Sequence, residues 1–309
     1  MCTFAFVMKK QPQTYAPCVA TIGFFDGVHR GHLYLIQQVT KLAEERGLVS
    51  RLVTFDRHPR VVLQLDYVPA LLTTLEEKLT LLKGTGADDI SLLPFTRELS
   101  RLTAKDFMRK VLYEELGARV LVLGYDHRFG HGGGTWEEYR KWGEETGIEV
   151  VRAQALDGEH VSSSRCRTLL MDGDVCGVAG LLGRRYVMSG EVVRGFQVGH
   201  ELGFPTANLE IDREKVMPAR GAYAVWVRMA DGTCHEGMLN IGNRPTIGNG
   251  EAASIEVNLL DYKGDLYGQQ LSVEFVDRLR EERRFASKDE LMAQLAQDEA
   301  TTRSILQAP

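Results

Sequence analysis

Cys18-Val19-Ala20-Thr21-Ile22-Gly23-Phe24-Phe25-Asp26-Gly27-Val28-His29-Arg30-Gly31-His32 is the stretch on which the fold turns. Its apolar and β-branched opening reads as a buried strand, and a glycine-bearing turn follows. From His32 onward Ile36, Val39 and Ala43 fall on one helical face, and Gly47 suits the left-handed residue that ends a helix. Strand, glycine turn and helix in that order are the first half of a crossover unit. The turn is also a candidate anion site, because glycines let backbone approach a ligand and a helix start offers free N–H groups. His29 and His32, either side of Arg30-Gly31, would sit over that anion. Two histidines three apart also fit plain packing on one helix face, and the spacing alone leaves both readings open.

Working outward, short apolar runs alternate with helical patterns to about Ala153. Strands are expected over 48–55, 90–93, 118–124 and 148–151, the third a nearly unbroken apolar run of the kind covered on both faces. Thr74 with Glu77, Thr103 with Asp106 and Thr135 with Glu138 mark helix starts. This alternation predicts an α/β module with a parallel sheet. Helical passages over 165–171 and 175–182 follow, and the rhythm changes near Arg184. From Tyr186 to Leu279 strand follows strand, with turn signals at Asp231-Gly232 and Lys263-Gly264-Asp265, which predicts a small antiparallel β-barrel. Ser287 and Glu290 then open a terminal helix expected to lay Leu291, Leu295 and Ala296 against the barrel. The expected modules are 1–183 and 184–309.

The composition agrees with two folded modules. The chain has 309 residues, 44% hydrophobic and 26% charged, which excludes a disordered or low-complexity protein. Its formal charge is −5 with the signs mixed, so nucleic acid is not an expected partner. No apolar run is long enough to span a bilayer, and Lys9 and Lys10 follow the apolar start instead of preceding it, the reverse of a signal peptide. A cytoplasmic protein with no membrane partner is the expectation. Five cysteines, odd in number and without a C-x-x-C, suggest reduced thiols and neither a disulfide framework nor a zinc site.

The H-x-G-H arrangement resembles the nucleotidyltransferase superfamily, in which both imidazoles stabilise charge developing on the α-phosphate of ATP. Three further segments, Thr54-Phe55-Asp56-Arg57-His58-Pro59, Gly124-Tyr125-Asp126-His127-Arg128-Phe129-Gly130 and Val161-Ser162-Ser163-Ser164-Arg165-Cys166-Arg167, are similar to those that accompany it in prokaryotic FAD synthetases. The resemblance implies a Rossmann-like fold, His29 and His32 as catalytic residues, and ATP bound by Gly23, Phe25, Asp126, Ser163, Ser164, Arg165 and Arg167. In it the Ser/Arg segment replaces the flexible lysine-bearing loop of related synthetases, gripping phosphates through hydroxyls and guanidinium forks. Without the flanking serines, Arg165 and Arg167 read as an ordinary surface pair. His127 departs from the family, which often has Phe there. Phe24, Ser164 and Cys166 depart more mildly.

In the second half no G-x-x-x-x-G-K-[ST] occurs, which excludes a P-loop kinase. Instead, Gly190 to Gly203 breaks a strand-like pattern with glycines and leads to Pro205-Thr206-Ala207-Asn208, which resembles the P-T-A-N signature of riboflavin kinases. The segments 218–223, 240–246 and 254–260 fit the same family. The resemblance implies that Thr206 and Asn208 hold Mg²⁺ and ATP phosphates, that Gly199 borders the ATP, and that Glu256 accepts the proton of the ribityl 5′-hydroxyl. It assigns Arg280 and Phe285 to the flavin. By itself, Glu256 on an alternating strand equally reads as solvent-facing. His200 stands where that family usually has Arg or Lys.

Together the resemblances imply a bifunctional flavin enzyme that phosphorylates riboflavin to FMN and adenylylates FMN to FAD and pyrophosphate, with riboflavin, FMN and ATP as substrates and Mg²⁺ arriving with ATP. Two alternatives stay open: a chain retaining one of the activities, and a flavin- or nucleotide-binding regulator. The oligomeric state is not legible.

Overall fold

The computed structural model of the chain describes residues 3–6, 15–124, 129–156, 158, 161–194, 204–244 and 252–307. They fall into two compact units, Met1–Val161 and Ser162–Pro309.

The first unit is built on six parallel strands, β1 (Thr3–Phe6), β2 (Cys18–Ile22), β3 (Val49–Phe55), β4 (Asp89–Leu93), β5 (Ala118–Leu123) and β6 (Glu149–Arg152), in the order β1-β4-β3-β2-β5-β6. The order reverses at β2, and in open parallel sheets ligands bind beyond the carboxyl ends of the strands at such a switch point. β2 is buried along its whole length, as a strand covered on both faces must be. One face sends Ala20, Ile22, Leu121 and Leu123 into a core with Phe107, Leu112 and Tyr139, and the other packs Val19, Val120 and Val122 on Val39 and Ala43.

The helices start where the caps were read. Thr74 and Thr135 form reciprocal capping boxes with Glu77 and Glu138. Thr103 accepts from the Asp106 amide, but the Asp106 carboxylate takes the Thr103 hydroxyl and so completes no box. Helix Arg30–Arg46 ends at Gly47, whose φ of 62° is open to glycine at little cost. The sheet also has a strand that the sequence reading missed: Thr3–Phe6 pairs parallel with β4. Four residues with no flanking period do not declare a strand; the neighbouring edge of β4 recruits them.

The second unit is a closed antiparallel barrel of β7 (Val187–Val193), β8 (Ala207–Ile211), β9 (Gly221–Met229), β10 (Cys234–Arg244), β11 (Ala252–Leu259) and β12 (Gln270–Glu281), in the order β10-β11-β8-β7-β12-β9. Closure leaves no open sheet edge. Helices Ser163–Asp172 and Val175–Leu182 also belong to this unit, ahead of the change of rhythm at Arg184. Hydrogen bonds tie them there: the Ala219 amide to the Leu170 carbonyl at 2.8 Å and the Cys176 thiol to the Val276 carbonyl at 3.2 Å. Helix Lys288–Leu306 packs on β9, β10 and β12. Its buried residues are Asp298, Thr302 and Leu306, whereas Ala296, expected on that face, is exposed. The reason is a buried ion pair, described below, that selects the helix face through Asp298.

Candidate active sites

The turn between β2 and helix Arg30–Arg46 is strained and tied down. Phe25 (φ 55°) and Val28 (φ 39°) lie in the left-handed region, which a β-branched residue rarely adopts. Asp26 is 4% exposed, and its carboxylate accepts from the Leu72 amide at 2.9 Å and the Thr73 amide at 3.2 Å. The Thr73 hydroxyl in turn accepts from the Gly27 amide at 3.1 Å. These bonds over-determine the turn and thereby sustain its backbone strain.

His29 is the N-cap of the helix and is 6% exposed; its Nδ1 accepts from the His32 amide at 3.3 Å. An imidazole accepting at Nδ1 carries its proton on Nε2, so His29 offers a donor there. The rings of His29 and His32 stack at 3.6 Å and 13°, with Phe25 edge-on to His32 at 5.2 Å. A side chain at Gly31 would place its Cβ 3.3 Å from the His29 ring, and one at Gly23 2.9 Å from the Phe25 ring. The two glycines of the motif therefore make room for its two rings.

Beside this turn the ends of β2 and β3, with residues that follow β4 and β5 and a helix, border an apolar cavity of about 440 Å³, lined among others by Gly23, Phe24, Phe55, Phe95, Phe107 and Phe129. Phe129 is fixed by Tyr139, whose hydroxyl bonds its backbone N–H and C=O, both at 2.9 Å. The sequence reading passed over this cleft. Aromatic residues recurring at or just past strand carboxyl ends were the available signal. It also passed over Lys78, which is 2% exposed, donates to the Phe55 carbonyl at 2.8 Å and stands 4.0 Å over the Phe24 ring. Burial drives its pKa from the ordinary 10.5 down to about 8, against the opposing pull of Asp26 and Asp56.

The Ser/Arg segment is the start of a helix. Ser162 caps Ser163–Asp172 by accepting from the Arg165 amide at 3.3 Å; Ser164 and Arg165 are exposed, and Ser163 and Arg167 half-buried. Hydroxyls and guanidinium groups around a helix N-terminus suit a phosphate. Asp126, His127, Gly199 and His200 lie outside the described residues.

In the barrel, strand register brings the P-T-A-N segment to Glu256. Glu256 on β11 is opposite Asn208 on β8 and Asn240 on β10. The Thr206 hydroxyl lies 3.4 Å from the Glu256 carboxylate, which is half-buried. Asn258, two residues along the same strand, donates to the Pro205 carbonyl at 2.7 Å and fixes the approach to Thr206. A cavity of about 260 Å³ adjoins, lined by Pro205, Thr206, Ala207, Leu259 and the 262–267 turn. The donors gathered here are oxygens, which fit a hard cation such as Mg²⁺. Among the described residues no group of three or more His, Cys, Asp or Glu gathers to hold a metal ion.

Arg280 is engaged within the protein. Its Nε donates to Asp298 at 2.9 Å, its second nitrogen lies 2.9 Å from the same oxygen, and Gln294 donates to the other oxygen at 2.7 Å. The guanidinium also lies 5.6 Å from the Phe285 ring centroid, with Arg283 at 4.7 Å.

Comparison with known proteins fits this geometry. The family model described as FAD synthetase matches residues 11–165, and the one described as riboflavin kinase matches 182–306. Proteins named bifunctional riboflavin kinase/FMN adenylyltransferase are similar along almost all of the chain. The one from Escherichia coli (strain K12) is 40% identical, covering 93% of this chain and 92% of its own. That from Pseudomonas fluorescens is 38% identical (93% and 93%), and that from Bacillus subtilis (strain 168) 34% (92% and 90%). A crystal structure titled as a macrolide-efflux protein from Streptococcus pneumoniae superimposes with a TM-score of 0.85 at 32% identity, covering 94% of this chain and 95% of that one. No helix among the described residues is long and apolar enough to cross a membrane. Two family models in tandem, and relatives matched nearly end to end, place the chain in the bifunctional riboflavin kinase/FMN adenylyltransferase family.

Proposed function

We propose that the chain makes FAD from riboflavin in two ATP-dependent steps, the barrel forming FMN and the α/β unit adenylylating it. The observation that carries the reading is the stacked His29–His32 pair at a helix start, on the same turn that walls an aromatic cleft at the sheet's switch point. A flat, apolar ring system with a phosphate tail is the ligand such a cleft and helix start accept together.

In the α/β unit the FMN phosphate is already an anionic nucleophile, so the step needs positioning and charge stabilisation and no general base. The Nε2 proton of His29 and the His32 ring serve the charge that grows on the α-phosphate of ATP, and Gly23 and Phe25 border the nucleotide. Ser163, Ser164, Arg165 and Arg167 grip phosphates from their helix start, with Asp126 as a further ATP contact. In the barrel Glu256 takes the proton of the ribityl 5′-hydroxyl as that oxygen attacks the γ-phosphate. Thr206 and Asn208 would hold Mg²⁺ arriving with ATP, and the ion would spread the charge of the transferring group. Gly199 borders this ATP. Phe285 covers the flavin, and Arg280 supports that ring from its pair with Asp298. By function the modules are 1–183 and 184–309, although helices Ser163–Asp172 and Val175–Leu182 pack within the barrel's compact unit, and the cytoplasm, where ATP and riboflavin meet, is the place of action. Macrolide efflux, the activity named for the streptococcal protein, is not favoured for this chain by anything in the site geometry.

Incubation with riboflavin, ATP and Mg²⁺, followed by chromatographic separation of riboflavin, FMN and FAD, tests the reading. FMN should form first and FAD after it; riboflavin left unchanged, with supplied FMN also unconverted, would overturn it.

A further inference from the structure

We propose that Lys78 is a positioning residue for FMN in the adenylyltransferase unit: held between the Phe55 carbonyl and the Phe24 ring, its ammonium sets two walls of the apolar cleft. The inference rests on the reading of that cleft as the flavin site.

Lys78 sits on helix Leu75–Lys83, whose starting cap Thr74 directly follows the Leu72 and Thr73 amides that hold Asp26. The helix and the Gly23–His29 turn are thus one hydrogen-bonded assembly, and Lys78 is the side chain that carries it across to β3. Both of its contacts are to cleft-lining residues: it donates to Phe55 O at 2.8 Å and lies over Phe24 at 4.0 Å. An aliphatic side chain would fill the same space without the cost of enclosing a charge, so the ammonium is present for what it holds. A desolvated cation over an aromatic face is among the stronger contacts of its kind, and it disappears with the proton.

Among the described residues the charged groups acting on Lys78 are Asp26 from the turn after β2 and Asp56 just past β3. Asp56 is itself bonded to the Phe95 amide at 2.8 Å and lies 3.8 Å from Arg57. On its own helix, Glu77 is occupied with the Thr74 amide at 2.9 Å. His58 packs edge-on to Phe24 at 4.8 Å and accepts from the Arg60 amide at Nδ1. With the lysine's pKa near 8, its proton leaves just above neutrality, within the working range of an enzyme assay.

The test is steady-state FAD formation from FMN and ATP by the full chain between about pH 7 and about pH 9, with riboflavin phosphorylation by the same preparations as the internal control. For the wild-type chain the KM for FMN should rise by about five- to tenfold across the range, with its midpoint close to 8, while kcat changes little. Lys78→Met should show the raised KM already at the acid end and a flat profile, and Lys78→Gln serves the same purpose if the Met variant does not fold. Equilibrium titration of FMN fluorescence should report the same shift in affinity. A KM that is flat with pH in the wild-type chain, or variants that keep the wild-type profile, would overturn the role of Lys78. Absence of any FAD from FMN at every pH would instead overturn the assignment of the activity.

Discussion

Adding one methyl group at Gly31 should slow one activity of this protein about tenfold and spare the other. The Cβ of Gly31→Ala would lie 3.3 Å from both Cε1 and Nδ1 of His29 and 3.8 Å from the Val161 carbonyl. The ring can relieve that contact only by moving a few tenths of an ångström, which lengthens a 3.3 Å hydrogen bond to the His32 amide and tilts a stack held at 3.6 Å. Weakening that cap costs about 0.5–1.5 kcal/mol. Against it, alanine gains about 1 kcal/mol over glycine inside a helix, so net stability should change by less than about 1 kcal/mol. Catalysis is less forgiving, since a misplacement of about 1 Å can cost about 10²-fold and a shift of a few tenths should cost about tenfold. The assay measures kcat/KM for FAD formation from FMN and for FMN formation from riboflavin on the same preparation, with thermal unfolding as the fold control. A roughly tenfold loss confined to the first is expected. Adenylylation within about twofold of wild type would refute the argument that the His29 ring position carries that step.

Other outcomes follow from the same geometry. Glu256→Gln should reduce FMN formation by about 10²–10⁴-fold while supplied FMN still becomes FAD, and His32→Ala should let FMN accumulate; chromatography of the flavins distinguishes the two patterns. Excess chelator should abolish both steps, and FAD formation that persists undiminished would count against phosphate-borne Mg²⁺. Asp298→Ala leaves Arg280 uncompensated where its side chain is 18% exposed, and urea unfolding should register a loss of about 3 kcal/mol from the barrel unit. Because the folded pKa of Lys78 is lowered, the folded state loses that proton above about 8 while the unfolded chain keeps it up to 10.5. Over that window the group's contribution to stability rises with pH. Urea denaturation should therefore show wild type gaining on Lys78→Met between about pH 8 and about pH 10, and the opposite trend would contradict the burial of a charged lysine.

Much of the architecture was legible because its signals are local. Thr74 with Glu77, Thr135 with Glu138, Gly47 after an amphipathic face, and the apolar run at 118–124 each state an element within one or two turns of chain, and the structure has each element there, the last as strand Ala118–Leu123. The H-x-G-H and P-T-A-N segments were legible for the same reason, since strand, turn and neighbouring residues are contiguous. The terminal helix was also expected, but its packed face was misjudged at Ala296, because apolar period alone ranks Ala above Asp for burial.

The tertiary structure decided what depends on residues far apart in sequence. Thr3–Phe6 became a strand only because an edge of β4 was free to pair with it. Asp298 is buried because Arg280 meets it from another element, which no hydropathy pattern encodes. The aromatic cleft collects side chains far apart in sequence, from Phe24 and Phe55 to Phe95, Phe107 and Phe129, and Lys78 reads as an ordinary helix-surface lysine until Phe24 and Phe55 close over it. Periodicity determines which face of an element seeks cover. What covers it, and which polar groups are trapped on the way, follows from packing the whole chain at once.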